Sequence, residues 1–142
     1  MAPKIFIDIN TLVDFFDSAR EQHQQAKALL QNIEMQIVDG YVSESVLNTV
    51  AYLVQKNFTP KDIKTMLQEL LSIVTLLPCN NDIYRAGLAQ PGSDIEDGIL
   101  YELATMHEMN FFITSDKKMI NAYKHLPLPV LTAAQFLKKL TA

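Results

Sequence analysis

The chain contains a single cysteine, Cys79, so it cannot close an internal disulfide, and a reducing compartment is its expected home. No apolar run approaches the length of a membrane span, and the N-terminus lacks the charged-then-apolar plan of a signal peptide. These absences point to a soluble, cytoplasmic protein with no membrane partner. Cations are also in the minority: 12 Lys and Arg face 16 Asp and Glu, for a net charge of -4. That counts against capture of nucleic acid by a broad basic surface. It does not exclude an acidic pocket neutralised by a divalent ion. Neither a G-x-G-x-x-G fingerprint nor a Walker loop is present. His23, His107 and His125 lack the spacing of metal ligands. The tyrosines at 41, 52, 84, 101 and 123 are not interleaved with basic residues, as an RNA-stacking platform would require. There is no repeat, linker or low-complexity segment.

What is present is ordinary globular composition: 49% hydrophobic and 20% charged residues over 142 positions, enough for one domain spanning 1–142. Strand-like and helix-like segments alternate. Lys4–Asp8 reads as a strand, Asn10–Phe16 and Ala19–Ile33 as helices, and Met35–Val38 as a strand closed by an Asp39–Gly40 turn. Ser43 is placed to cap a helix carrying Val46, Leu47, Val50, Leu53 and Val54 at helical spacing. Thr59, Pro60 and Asp62 form a helix start ahead of Ile63, Met66, Leu67, Leu70 and Leu71. Ser72–Pro78 is β-rich, Asp82–Ala89 is a short helix, and Asp94 precedes a helix over Ile95–Met109 with Ile99, Leu103 and Met106 facing inward. Asn110–Asp116 is a second strand that ends in an acid. Pro127–Thr132 is a short strand, and Thr132 caps a last helix through Leu140. Strands separated by helices, without hairpin turns, predict a three-layer α/β/α domain around a mostly parallel sheet.

The acids carry the chemistry. Asp8 interrupts the apolar run of "KIFIDINTLVDFF", and a buried carboxylate without a partner costs several kcal/mol, on the order of the stability of a small domain. In open parallel sheets function collects beyond the carboxyl ends of the strands, where Asp8 and Asp116 both fall. A helix beginning at "SDIEDG" adds Asp94 and Asp97, three residues apart on one face. Two carboxylates ~4 Å apart repel by about 4 kcal/mol near a protein surface. A hard divalent cation such as Mg2+ removes that repulsion and activates water.

Each acid also has a plainer reading. Asp8 can cap the helix that follows it, Asp94 suits an N-cap, Asp116 can open a surface helix, and Glu96 and Glu102 suit a solvated face. Asp97, deeper in its helix, is harder to explain as a cap. A receiver-like or phosphatase-like domain with Asp8 as phosphoacceptor is a further reading, for which Lys117 is only a loose match to the expected lysine.

The segments "FIDINTLVDFF", "VSESVLNTVAYLVQK", "SDIEDGILYELATMHEMNFFITSDKKMI" and "LPVLTAAQFL", in that order over nearly the whole chain, resemble the PIN domain in its VapC-like toxin branch. The resemblance implies an Mg2+- or Mn2+-dependent endoribonuclease acting on tRNA, rRNA or mRNA, a cognate antitoxin and a homodimer. It carries the family acids onto Asp8, Asp94, Asp97 and Asp116, with Asp8, Asp97 and Asp116 as metal ligands. Asn10, Thr114 and Ser115 fall beside them in supporting places, and Lys117 and Lys118 are set to meet flanking phosphates. One position departs: where the family commonly has a glutamate, this chain has Asn48 or Thr49. Asn48 is left to ligate through its amide oxygen, and the loss implies weakened metal binding or, as the alternative, a binding module that no longer cuts.

Overall fold

The computed structural model describes residues 1–142. Five strands form one wholly parallel sheet in the order β3-β2-β1-β4-β5, flanked by eight helices. The strands are β1 (Lys4–Ile7), β2 (Asp39–Val42), β3 (Val74–Leu76), β4 (Phe111–Ile113) and β5 (Val130–Leu131). The helices are α1 (Ile9–Phe16), α2 (His23–Glu34), α3 (Glu44–Val54), α4 (Pro60–Leu71), α5 (Asn81–Leu88), α6 (Ile95–Met106), α7 (Lys117–Tyr123) and α8 (Ala133–Leu140). No helix is long and apolar enough to cross a membrane.

The central strands are uninterrupted apolar runs because both faces of the sheet are covered. Ile5, Phe6 and Ile7 are fully buried, as are Phe112 and Ile113, their partners across the β1–β4 pair. Phe6 and Phe112 lie opposite each other in register and stack with centroids 5.1 Å apart. From β1 the chain steps one way to β2 and β3, then returns across the sheet to β4 and β5. Right-handed crossovers put helices from those two halves on opposite faces. The switch point lies between β1 and β4, and a crevice opens beyond their carboxyl ends. Asp8 follows one of these strands and Thr114 follows the other.

Four capping residues do what their positions predict. Ser43, Thr59, Asp94 and Thr132 each accept a hydrogen bond from a backbone N–H in the first turn of α3, α4, α6 and α8. Four expectations need correction. Met35–Val38 is not a strand and Asp39–Gly40 is not a turn: those two residues open β2. The turn comes earlier, because Gln36 adopts φ 62° and the N–H groups of Gln36 and Ile37 return to Ile33 and Asn32. That is a Schellman stop. Glu108, at φ 59°, ends α6 in the same way at Met106 rather than Met109, with Glu108 and Met109 donating to Thr105 and Ala104. Met106, expected inside, is exposed. Finally, α2 begins at His23 rather than Ala19, since the corner before it is held by Arg20 on Asp14 at 3.0 Å and His23 Nδ1 on the Asp14 carbonyl at 2.9 Å.

Candidate active site

Asp8 occupies the N-cap position of α1, yet its carboxylate makes no capping hydrogen bond. Its backbone N–H donates to Ile113 O at 2.9 Å, which continues the β1–β4 ladder by one residue. Its side chain is 3% exposed, and Oδ2 accepts from Thr114 Oγ1 at 2.7 Å. The Thr114 hydroxyl, itself fully buried, also accepts from the Asp116 N–H at 3.1 Å. One hydroxyl thus joins the ends of β1 and β4. Asp116 caps α7 by accepting from the Lys118 N–H at 3.0 Å, and Asp94 caps α6 by accepting from the Asp97 N–H at 3.0 Å. In both caps Oδ1 is engaged and Oδ2 is left for other work.

The acids feel one another. Burial pushes the Asp8 carboxyl up to about 6, opposed by the hydrogen bond from Thr114 and the nearby Ile9 backbone N–H and reinforced by the charges of Asp116 and Glu96. Asp97 is pushed up to about 7, first by desolvation, then by Asp8, Asp94, Asp116 and Glu96. Glu96 is raised too, by burial and by Asp94. No cation answers them: the ion pairs of the molecule are Arg20–Asp14 and Arg85–Asp82, both elsewhere. Repelling hard oxygen donors with no internal counter-charge are a donor set that fits a divalent cation. No three acid, histidine or cysteine side chains already stand in a metal-holding arrangement. An ion that keeps several waters and takes one or two carboxylates demands less closure than a full protein cage.

The other expected residues are distributed around this centre. Asn10 lies in the first turn of α1 and Ser115 precedes Asp116; both are half-buried. Lys117 and Lys118 are exposed at the start of α7. Asn48 is exposed on α3 and Thr49 half-buried, and neither side chain makes a hydrogen bond within the molecule. Glu96 is exposed, as its solvated-face reading expected, and its charge also acts on Asp8 and Asp97; its place in the same first turn as Asp97 was the available signal for that coupling. Tyr123 was not anticipated at all. It stacks on Tyr101 at 4.7 Å, and its buried hydroxyl lies against Gly92 and Gly98 without a hydrogen-bond partner. A cleft of about 740 Å³ lies to one side, between Ser43–Ser45, Leu76–Cys79 and α6, and none of the four aspartates lines it.

Residues 4–118 match the PIN domain family. The chain belongs to the PIN-domain family. Its likeness within the family is to VapC proteins: it is 24% identical over 141 residues to Ribonuclease VapC1 of Aquifex aeolicus (strain VF5), covering 96% of this chain and 94% of that one. Among solved structures it superposes on VapC20 of Mycobacterium tuberculosis, a Sarcin-Ricin loop cleaving toxin, with a TM-score of 0.68. That match has 14% identity and covers 83% of this chain and 94% of the other. At such identity the superposition speaks for the fold, a VapC-like PIN α/β/α domain. A receiver-like reading of Asp8 has no support in this family.

Proposed function

We propose that this PIN domain is a divalent-metal-dependent endoribonuclease, the toxin of a toxin–antitoxin pair, acting in the cytoplasm on structured RNA. The observation that carries the reading is the buried Asp8 carboxylate, joined to β4 through Thr114, electrostatically coupled to Asp97 and Asp116 and in no ion pair with a cation of the protein's own. Likeness to a ribonuclease VapC1 supports the same conclusion.

Asp8, Asp97 and Asp116 would hold Mg2+ or Mn2+, one or two of them directly and the rest through its waters, with Asp94 assisting from the α6 cap. When bound, such an ion supplies a more acidic water and neutralises charge on the leaving oxygen of the phosphodiester. Thr114 fixes the Asp8 carboxylate and the Asp116 backbone relative to each other. Asn10 and Ser115, beside Asp8 and Asp116 in sequence, are polar groups to orient water or substrate, and Asn48, where the family commonly has a glutamate, is a third. Lys117 and Lys118 present cations to the phosphates beside the cut. The outward face of α3 and α4 exposes Tyr52, Leu53 and Leu71, an apolar surface suited to an antitoxin segment or a second subunit.

The test is RNA cleavage by the purified protein across Mg2+ and Mn2+ titrations. Cleavage is expected to stop with chelator and to fall more than about 100-fold in Asp8→Asn and Asp97→Asn, since even the outer partners of metal ligands are worth about 10–100-fold. A second reading rests on Asn48 and Thr49 standing where the family commonly places an acid: a domain that binds RNA or protein without cutting. RNA left intact under every metal condition, with RNA affinity retained, selects it.

A further inference from the structure

Charge is divided unevenly along this chain. Residues from Lys117 to Ala142 hold five of the twelve Lys and Arg and none of the sixteen Asp and Glu. The first 116 residues therefore carry seven cations against all sixteen acids, a net of -9. The acid-free segment begins at the rim of the candidate active site, because α7 follows Asp116 directly.

Helix α7 is amphipathic. Met119 and Tyr123 are buried, whereas Lys117, Lys118, Asn121 and Lys124 are exposed. Lys117, Asn121 and Lys124 fall at i, i+4 and i+7 and share one stripe, about 10 Å from end to end at 1.5 Å per residue. None of these lysines is in an ion pair. Lys117 and Lys118 also occupy the first turn, where the helix dipole disfavours cations, so helix stability does not account for them. Lys138 and Lys139 differ: they sit in the last turn of α8, where the dipole favours them.

We infer that the outer face of α7 is a phosphate-contacting track, along which a single-stranded flank of RNA leaves the active site. Lys117, Lys118 and Lys124 meet its phosphates, and the Asn121 amide donates hydrogen bonds between them. A polyanion approaching a net-negative body and a cluster of carboxylates needs a cationic path on the same rim, and this face provides it without a competing acid. The inference rests on the ribonuclease reading and adds to it the course of the substrate.

The test measures binding of a fluorescein-labelled single-stranded RNA in Mg2+ on an Asp97→Asn background, so that the RNA is not consumed. Each of Lys117→Gln, Lys118→Gln and Lys124→Gln is expected to reduce the slope of log affinity against log salt by about 0.7, or roughly 2.5-fold less loss between about 50 and about 200 mM salt. Lys27→Gln, an exposed lysine on α2, is expected to leave the slope unchanged. On an RNA trimmed to end at the site, Lys124→Gln is expected to lose its effect while Lys117→Gln keeps it. Salt slopes unchanged by Lys124→Gln, in a protein that cleaves RNA, overturn the track and leave the ribonuclease reading standing. Slopes altered as expected in a protein that cuts nothing remove the nuclease and keep the track. No RNA binding at all removes both.

Discussion

Thr114 is the residue at which the two central strands exchange a polar contact beyond the ends of their backbone ladder. Its hydroxyl donates to Asp8 and accepts from the Asp116 N–H, so replacing it with the isosteric valine orphans one buried carboxylate oxygen and one backbone donor. Each unsatisfied group costs about 1–3 kcal/mol. Thr114→Val is expected to lower Tm by several degrees in chelator, at about 2–4 °C per kcal/mol for a domain of this size. Thr114→Ser, which keeps the hydroxyl, is expected to melt near the parent; equal melting of both variants would remove Thr114 from its linking role. The sequence pointed to Asp8 and Asp116 as strand-end acids, and to Thr114 only as a neighbouring hydroxyl. That Asp8 declines to cap its own helix was not legible, since the choice between a local N–H and a hydroxyl 106 positions away depends on tertiary placement. Tyr123 was illegible for the same reason.

At the scale of elements, α5 and α6 bring the helix-start acids to the crevice, and two glycines set how closely they lie. A Cβ on Gly98 would stand 2.6 Å from the Gly87 carbonyl oxygen, and one on Gly87 would stand 2.6 Å from Ile99 Cα. Backbone cannot yield as a side-chain tip can. Alanine in a helix gains about 1 kcal/mol over glycine, but overpacking a rigid contact costs about 1–3 kcal/mol, so Gly98→Ala is expected to be net destabilising and to displace Asp97. Gly40→Ala meets the Ile33 Cδ1 tip at 2.7 Å, a flexible neighbour, and is expected to cost less. Thermal unfolding of the two variants side by side decides this, with a Gly98→Ala protein more stable than Gly40→Ala as the contrary result. The beginnings of α3, α4, α6 and α8 were readable because Ser43, Thr59, Asp94 and Thr132 are residues whose side chains accept from backbone N–H, whereas α2, which no side chain caps, was placed too early. Helix ends were not readable. Gln36 and Glu108 take the left-handed position that glycine or asparagine normally marks, so the stops of α2 and α6 left no sign in composition.

For the whole molecule, the order of strands converts acids distant in sequence into neighbours, and folding must bring their charges together. Alternation of strands and helices made the parallel sheet foreseeable; which strand ends adjoin follows from the β3-β2-β1-β4-β5 order, which periodicity alone does not reveal. The electrostatic consequence can be measured. Asp8 and Asp97 have folded values of about 6 and about 7 against an ordinary 3.8, so the folded state binds more protons than the unfolded chain between about pH 4 and pH 7. The contribution of these two groups to stability in chelator is therefore fully present below about pH 4 and is lost as pH rises through 6 and 7. The Asp8 shift alone corresponds to about 3 kcal/mol, while Asp97, half-exposed, contributes less because water screens it. A divalent cation competes with those protons for the same oxygens, so its stabilisation should grow with pH. Chelated protein is expected to melt higher at pH 5 than at pH 8. Mg2+ or Mn2+ is expected to raise Tm at pH 8 and to have little effect at pH 5, and Asp8→Asn to flatten both dependences. A chelated Tm that does not change from pH 5 to pH 8, or a metal effect equal at both, would mean that the carboxylates are not held against burial and their mutual repulsion, and the case for an ion at the end of β1 would lose its physical basis.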